Sequence, residues 1–201
     1  MNFYEKEGTA MAYQKRIEHY GIAIGELPKG KLNKITDVKG IRVGHCTIDT
    51  PENKTGVTVI LPMEENIYNN KLVAGFYVLN GYGKTMGLVQ IEELGSLESI
   101  IALTNTLNVG LVHDALVEYM ISESKKEATY VRTINPIVCE CNDSFLNNIQ
   151  NRAVQKEHVF KAIEDARVDF EEGDVGAGKG MSCYHLKGGI GSASRVVNLD
   201  G

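Results

Sequence analysis

Two short segments near the start alternate in polarity with the period of an extended chain. Gly40-Ile41-Arg42-Val43-Gly44-His45-Cys46-Thr47-Ile48 alternates every second residue, and Gly56-Val57-Thr58-Val59-Ile60-Leu61 is β-branched up to a stop at Pro62. They read as two strands joined by a polar loop around Pro51 to Lys54. Leu72-Val73-Ala74-Gly75-Phe76-Tyr77-Val78-Leu79 is apolar almost throughout, the pattern of a central strand covered on both faces. It runs into the turn-rich Asn80-Gly81-Tyr82-Gly83-Lys84.

After Asn108, a good N-cap type, the apolar residues change to helical spacing. Val109, Val112, Leu116, Val117, Tyr119, Met120 and Ile121 predict a helix of about four turns that ends in the charged run Glu123 to Glu127. Thr129 to Cys141 reads as a strand broken at Pro136, and Val159, Phe160, Ile163, Ala166 and Phe170 as a second helix closing at Gly173. Met181 to Lys187 and Ser192 to Leu199 are the remaining strand candidates. This order predicts an α/β (α+β) fold with at least one well-covered sheet. Periodicity leaves open a helix-flanked sandwich of two sheets or one open sheet.

The 201 residues, 43% of them hydrophobic, suffice for one domain, and no linker or repeat divides residues 1–201. The net charge of −5 is spread along the chain, which argues against a nucleic-acid partner. Met1 to Tyr20 is charged and lacks an apolar stretch of signal or membrane-spanning length, so a cytoplasmic protein without membrane contact is expected. Cys46, Cys139, Cys141 and Cys183 are too few and scattered for a disulfide framework, and reduced thiols are expected.

Several local motifs point to chemistry without completing it. Gly173-Asp174-Val175-Gly176-Ala177-Gly178-Lys179-Gly180 follows a phosphate-binding loop for seven positions, but Gly180 stands where the magnesium hydroxyl belongs and the preceding segment is not a strand. Helix cap and turn is the better reading. Cys139 and Cys141 share a strand face without a second ligand pair, and His45 and His113 have no acid or nucleophile at motif spacing, so structural roles are expected and no metal or cofactor is implied. Thr104-Asn105-Thr106-Leu107-Asn108 gathers amides and hydroxyls at a helix start, where they can cap the helix or hold a carbonyl. Lys187-Gly188-Gly189-Ile190-Gly191-Ser192 is a second glycine-rich turn.

The ordered succession is more specific than any one motif. Lys34-Ile35-Thr36-Asp37-Val38 and Gly40 to His45, Thr55 to Pro62, Ala74-Gly75-Phe76, Asn80 to Gly83, Glu92-Glu93-Leu94-Gly95, Leu103 to Thr106 with Val109-Gly110, Glu140-Cys141-Asn142-Asp143 and Lys187 to Gly191 together resemble the L-aminopeptidase/D-esterase (DmpA-like) family, which includes β-peptidyl aminopeptidases. The resemblance spans roughly Gly21 to Val197. It implies an αββα sandwich of the DmpA and ornithine acetyltransferase type, and a precursor that cleaves itself to expose an N-terminal serine or threonine nucleophile.

In that family the nucleophile and an oxyanion-hole asparagine lie beyond the glycine turn. No such junction follows Gly191, and Val196 to Gly201 reads as the first arm and turn of a hairpin. The chain is therefore expected to be the α portion of a longer precursor, silent by itself. Its partners would be the downstream β portion, further copies in a homo-oligomer, and short peptide, amide or ester substrates. Where the family carries a glutamate that receives the substrate ammonium, this chain carries Lys84; where it carries an oxyanion tyrosine, this chain carries Ser96. Lys84, Ser96 and Asn105 are the candidate pocket residues: Lys84 to tune substrate charge, Ser96 to donate to the oxyanion, Asn105 to orient the carbonyl or cap the adjacent helix. The alternatives to an aminopeptidase are an acyltransferase of the ornithine acetyltransferase type and a non-catalytic binding or assembly protein.

Overall fold

In the computed structural model, which describes residues 15–198, the alternating segments pair first. Strand β1 (Arg42–Asp49) and strand β2 (Lys54–Leu61) form an antiparallel hairpin with His45 opposite Thr58 and Cys46 opposite Val57. β2 also pairs antiparallel with β5 (Ile101–Asn105), and β5 pairs parallel with β6 (Ile137–Cys141), giving the order β1-β2-β5-β6. The parallel pair requires a crossover. It is supplied by α2 (Val109–Lys126), which follows α1 (Leu88–Leu94) in the chain.

Register sorts the sheet into two faces. Val57, Val59, Ala102 and Val138 are wholly buried and belong to one core cluster with Val112, Ala115 and Leu116 of α2 and Val159 and Ala162 of α3 (Lys156–Glu164). The helix stripe at positions 109, 112, 116 and 120 is the one its spacing predicts. Gly44 lets α3 approach: a Cβ there would overlap the Ala162 carbonyl oxygen and lie 2.6 Å from the Ala166 nitrogen.

On the opposite face, the 171–178 segment lies across β1 and β2. His45 Nε2 is 3.0 Å from the Glu171 carbonyl, so it carries the proton and donates. Nδ1 then accepts from the Thr58 hydroxyl at 2.9 Å, and the Thr58 oxygen accepts from the Ala177 N–H at 3.1 Å. Gly176, at φ +51°, fits beneath this relay because a Cβ would overlap Thr58 Oγ1 and sit 2.8 Å from His45 Nδ1.

Five expectations are corrected, one of them the strand over 129–141, of which only Ile137–Cys141 forms. The 72–79 run is not a buried central strand: only β3 (Leu72–Val73) pairs, with β4 (Ser96–Leu97), and Val73 and Tyr77 are 98% and 86% exposed. β4 is two residues long, and among the described residues nothing else lies beside 75–79 to pair with it. The second helix stops at Glu164, capped at Asp165, because the chain turns so that Arg167 can pair with Val43; Phe170 is buried from a loop instead, 5.9 Å from the His45 ring. The 181–187 candidate is a small hairpin of β7 (Ser182–Cys183) and β8 (Leu186–Lys187), turned by Tyr184 and His185 at positive φ. Residues 192–198 form no strand, being held by side chains such as Arg195 on Asn33, while the expected turn at 200–201 lies outside the described residues.

Replacing Gly44 by Ala should lower the unfolding free energy by about 2–4 kcal/mol, since backbone has to move to admit the methyl. Gly110→Ala, in α2 with open space around it, should raise it by about 0.5–1 kcal/mol. Denaturant titrations of the two variants would check the pair.

Candidate functional site

Parallel pairing brings the C-terminal ends of β5 and β6 together, with Thr104 beside Glu140 and Asn105 beside Cys141. Just beyond β5 the chain enters the 3-10 turn Thr106–Asn108 and then α2. Strand ends that feed a helix start are where α/β proteins gather ligand-directed groups.

Asn105 faces inward. Its Oδ1 accepts from the Asn108 N–H at 3.1 Å, and its Nδ2 donates to Thr55 Oγ1 at 2.9 Å; only 1% of the residue is exposed. The capping function weighed from sequence is the one this geometry supplies. Asn108 is also buried and donates Nδ2 to the Val154 carbonyl.

Glu140 is the hub of the neighbouring surface. One carboxylate oxygen accepts from the Lys84 backbone N–H at 2.9 Å, and the other accepts from the Thr106 hydroxyl. The Lys84 ammonium is folded away onto its own turn, 3.3 Å from the Tyr82 carbonyl and 5.1 Å above the Tyr82 ring. Ser96 lies elsewhere, on β4, half-buried and accepting from Gln90 Nε2 at 3.2 Å. No hydrogen bond or ion pair joins it to Lys84, Asn105 or Glu140. The structure thus links Lys84 to Glu140 and Thr106, sets Asn105 beneath them and leaves Ser96 apart. Sequence reasoning had Glu140 within a motif but assigned it no role, because its partners come from residues 56 and 34 positions away.

Three further hydroxyls near the glycine-rich turns and strand ends are held by partners. Thr104 donates to the Gly56 carbonyl, Ser192 accepts from the Ile35 N–H, and Ser194 donates to Asp37. Thr58 and His45 do form a hydroxyl–imidazole pair, yet Thr58 is 1% exposed and His45 is oriented by a backbone carbonyl. Burial also pushes the His45 pKa below its ordinary 6.5, so the neutral form required by the relay is favoured.

The phosphate-loop lookalike is spent internally. The amides of Gly176 and Ala177 bond Thr47 and Thr58, and those of Gly178, Lys179 and Met181 bond carbonyls within the loop. Lys179 is clamped by Asp49 and Asp174, each at 2.7 Å, and hydrogen bonds from Lys179 and Lys54 hold the Asp49 carboxyl at about 2. Cys139 packs against the core, and burial raises its thiol pKa. All four cysteines are free, and among the described residues no three His, Cys, Asp or Glu side chains converge as a metal site. A cavity of about 130 Å³ opens at the other end of the sheet, between Arg42 and Met120, with none of the three candidates in its lining. Among the described residues no helix is long and apolar enough to cross a membrane.

Residues 33–201 match the family model described as Peptidase family S58. The β-peptidyl aminopeptidase BapA of Sphingosinicella xenopeptidilytica is 37% identical over 200 residues, covering 94% of this chain and 49% of that protein. BapA of Sphingosinicella microcystinivorans is 36% identical, covering 96% of this chain and 50% of that protein. The chain thus spans about half the length of the curated relatives it matches. Among solved structures, the PH0078 protein of Pyrococcus horikoshii OT3 superposes with a TM-score of 0.87 at 50% identity, over 92% of this chain and 55% of that one. The L-aminopeptidase D-Ala-esterase/amidase of Ochrobactrum anthropi, described as a variant of the Ntn hydrolase fold, gives 0.78 at 35% identity, over 87% of this chain and 51% of that one. The mixed helix and strand content and these neighbours bear out the expected α/β fold of Ntn hydrolase type.

ATP with magnesium should leave the melting temperature unmoved, because the loop's amides and lysine already have partners; a saturable rise would refute this. The His45 pKa is lower folded than unfolded, so its contribution to stability is complete above about pH 6.5 and is lost as pH falls through the folded value. Melting temperature against pH should therefore fall off on the acid side, and His45→Gln should flatten that limb.

Proposed function

The chain belongs to peptidase family S58, and from that premise we propose that it is the α portion of a self-processing aminopeptidase of short peptides, amides or esters. The observation that carries this reading is the matched extent. Residues 33–201 fit the family, while the relatives named as aminopeptidases are about twice as long. The nucleophile, a serine or threonine freed by autoproteolysis, is assigned to the segment that follows. Its own α-amine would act as the base, as an N-terminal hydroxyl residue allows.

In this reading the chain contributes the outer helix layer, one sheet and one wall of the pocket. The wall is the rim formed by Lys84, Thr106 and Glu140, with Asn105 fixing the helix start beneath it. Ser96 is a donor for the oxyanion only if the downstream segment brings the scissile carbonyl to β4. The same segment is the proposed cover for the 75–79 run, where Tyr77 and Leu79 are 86% and 85% exposed. A cytoplasmic location and assembly into a homo-oligomer complete the proposal.

Met1 to Gly201 alone should be silent towards aminoacyl p-nitroanilides, whereas the complete precursor should turn them over and appear as two fragments by intact mass under denaturing conditions. Comparable turnover by the short chain, or an unbroken active precursor, would refute the reading.

A further inference from the structure

The first position of β1 departs from the pattern of the strand it opens. Cys46 and Ile48 pack against the core and Gly44 lies under α3, so the even positions of β1 face the helix layer. Arg42 takes the same face, opposite the buried Leu61, where an apolar residue would be expected. Its side chain lines the cavity of about 130 Å³ at the far end of the sheet from the Lys84–Thr106–Glu140 rim. Its Nε is buried without a hydrogen-bond partner, and among the described residues no carboxylate forms an ion pair with the guanidinium. A buried donor without an acceptor is costly, the more so on a charged group, and a ligand that supplies the acceptor removes the penalty.

The rest of the lining narrows the ligand. Tyr119 of α2 presents a hydroxyl with no hydrogen-bond partner among the described residues, and burial together with the Glu123 carboxylate pushes its pKa above the ordinary 10, so it stays a donor. A guanidinium fork beside a hydroxyl donor matches a carboxylate. Leu61, Met63, Ile67 and Met120 add apolar wall. The volume approaches the ~150 Å³ that holds a benzene ring, which sets the apolar body at about three to six carbons. Glu64, Glu65, Glu123 and Glu127 complete the lining, and only Glu123 has a cation, Lys126 at 2.5 Å. The cavity thus holds opposite charges apart with room between them. A simple anion would be repelled by the glutamates and a simple cation by Arg42, whereas a zwitterion meets both.

We infer that this cavity binds a free α-amino acid with a small apolar side chain, its carboxylate on Arg42 and Tyr119 and its ammonium towards the glutamates. The site does not depend on the aminopeptidase reading; under that reading its ligand belongs to the class of product that the reaction releases.

The experiment titrates the complete precursor by calorimetry with four probes. L-Valine carries all three features; isovalerate lacks its ammonium, isobutylamine its carboxylate and glycine its side chain. Valine should bind saturably with a Kd below about 1 mM, and each of the others at least about tenfold more weakly. Arg42→Met puts an apolar chain in place of the unpaired cation. It should weaken valine at least about tenfold without lowering the melting temperature, because a desolvated charge without a partner does not stabilise the fold. That dependence on Arg42 assigns the binding to the cavity, since a product held at the catalytic centre would not respond to it. The exposed pair Glu64→Gln and Glu65→Gln, changed together, should weaken valine about threefold to fivefold and leave isovalerate no weaker. Absence of saturable valine binding, isovalerate or isobutylamine binding as tightly as valine, valine binding undiminished in Arg42→Met, or equal weakening of valine and isovalerate by the glutamate pair would overturn the inference. A marked fall in the melting temperature of Arg42→Met would overturn it too, by making Arg42 a structural residue. The expected binding pattern in a precursor that hydrolyses no anilide would uphold the inference and sink the aminopeptidase reading instead.

Discussion

Everything else in the molecule is arranged around covering β2 on both sides. Its odd positions, Val57 and Val59, enter the helix-packed core, while Thr58 on the other face meets the 171–178 segment. A strand in that position has to satisfy any polar side chain it buries, since an unpaired hydroxyl in the interior costs about 1–3 kcal/mol. Thr58 meets the requirement by accepting from Ala177 and donating to His45, and the imidazole passes the constraint on to the Glu171 carbonyl. The Glu171 carbonyl fixes the histidine tautomer, and the Thr58 hydroxyl in turn sets the path of the glycine-rich segment and the absence of a side chain at 176.

The candidate site depends on the same sheet at its other edge. Because β5 and β6 run parallel, their carboxyl ends coincide, and residues far apart in sequence reach one another across the gap. Glu140 is supported from the 80s turn and from the helix start at once, so the rim has a defined shape before any substrate arrives. Asn105, one residue before Thr106, works downward and holds the helix start in register. The division of labour follows from the break in regular structure here: Asn105 ends β5 and caps the turn, while Thr106 opens the 3-10 turn itself.

How much of this could be read from the sequence depended on whether the signal was local. β1, β2 and α2 carry their own periodicity and were legible, as was the misfit of the 173–180 motif to a nucleotide loop. The 72–79 run was misread because an apolar segment records that it wants cover, not whether the cover is present. The second helix was overextended for a related reason: Phe170 continues the helical spacing but is buried from a loop that Val43 captures through Arg167. Of the site, the capping chemistry of Asn105 was visible in residue type and position. The engagement of Glu140 was not, because it arises from a parallel register that no single stretch encodes.

The exposed 75–79 run also has a meaning in time. From Gly75 to Leu79, main-chain groups without backbone partners among the described residues and apolar side chains open to water form a template that another extended chain can copy. Any interval in which this segment exists before its cover is therefore an interval of risk, in which self-association and correct assembly compete. If the cover is the downstream segment of the proposed precursor, synthesis from the N-terminus makes such an interval unavoidable, and its length is set by how quickly that segment is translated. Splitting this half onto a separate gene would lengthen the interval to the time of a bimolecular encounter. The proposed single precursor, cut only after folding, would keep it short.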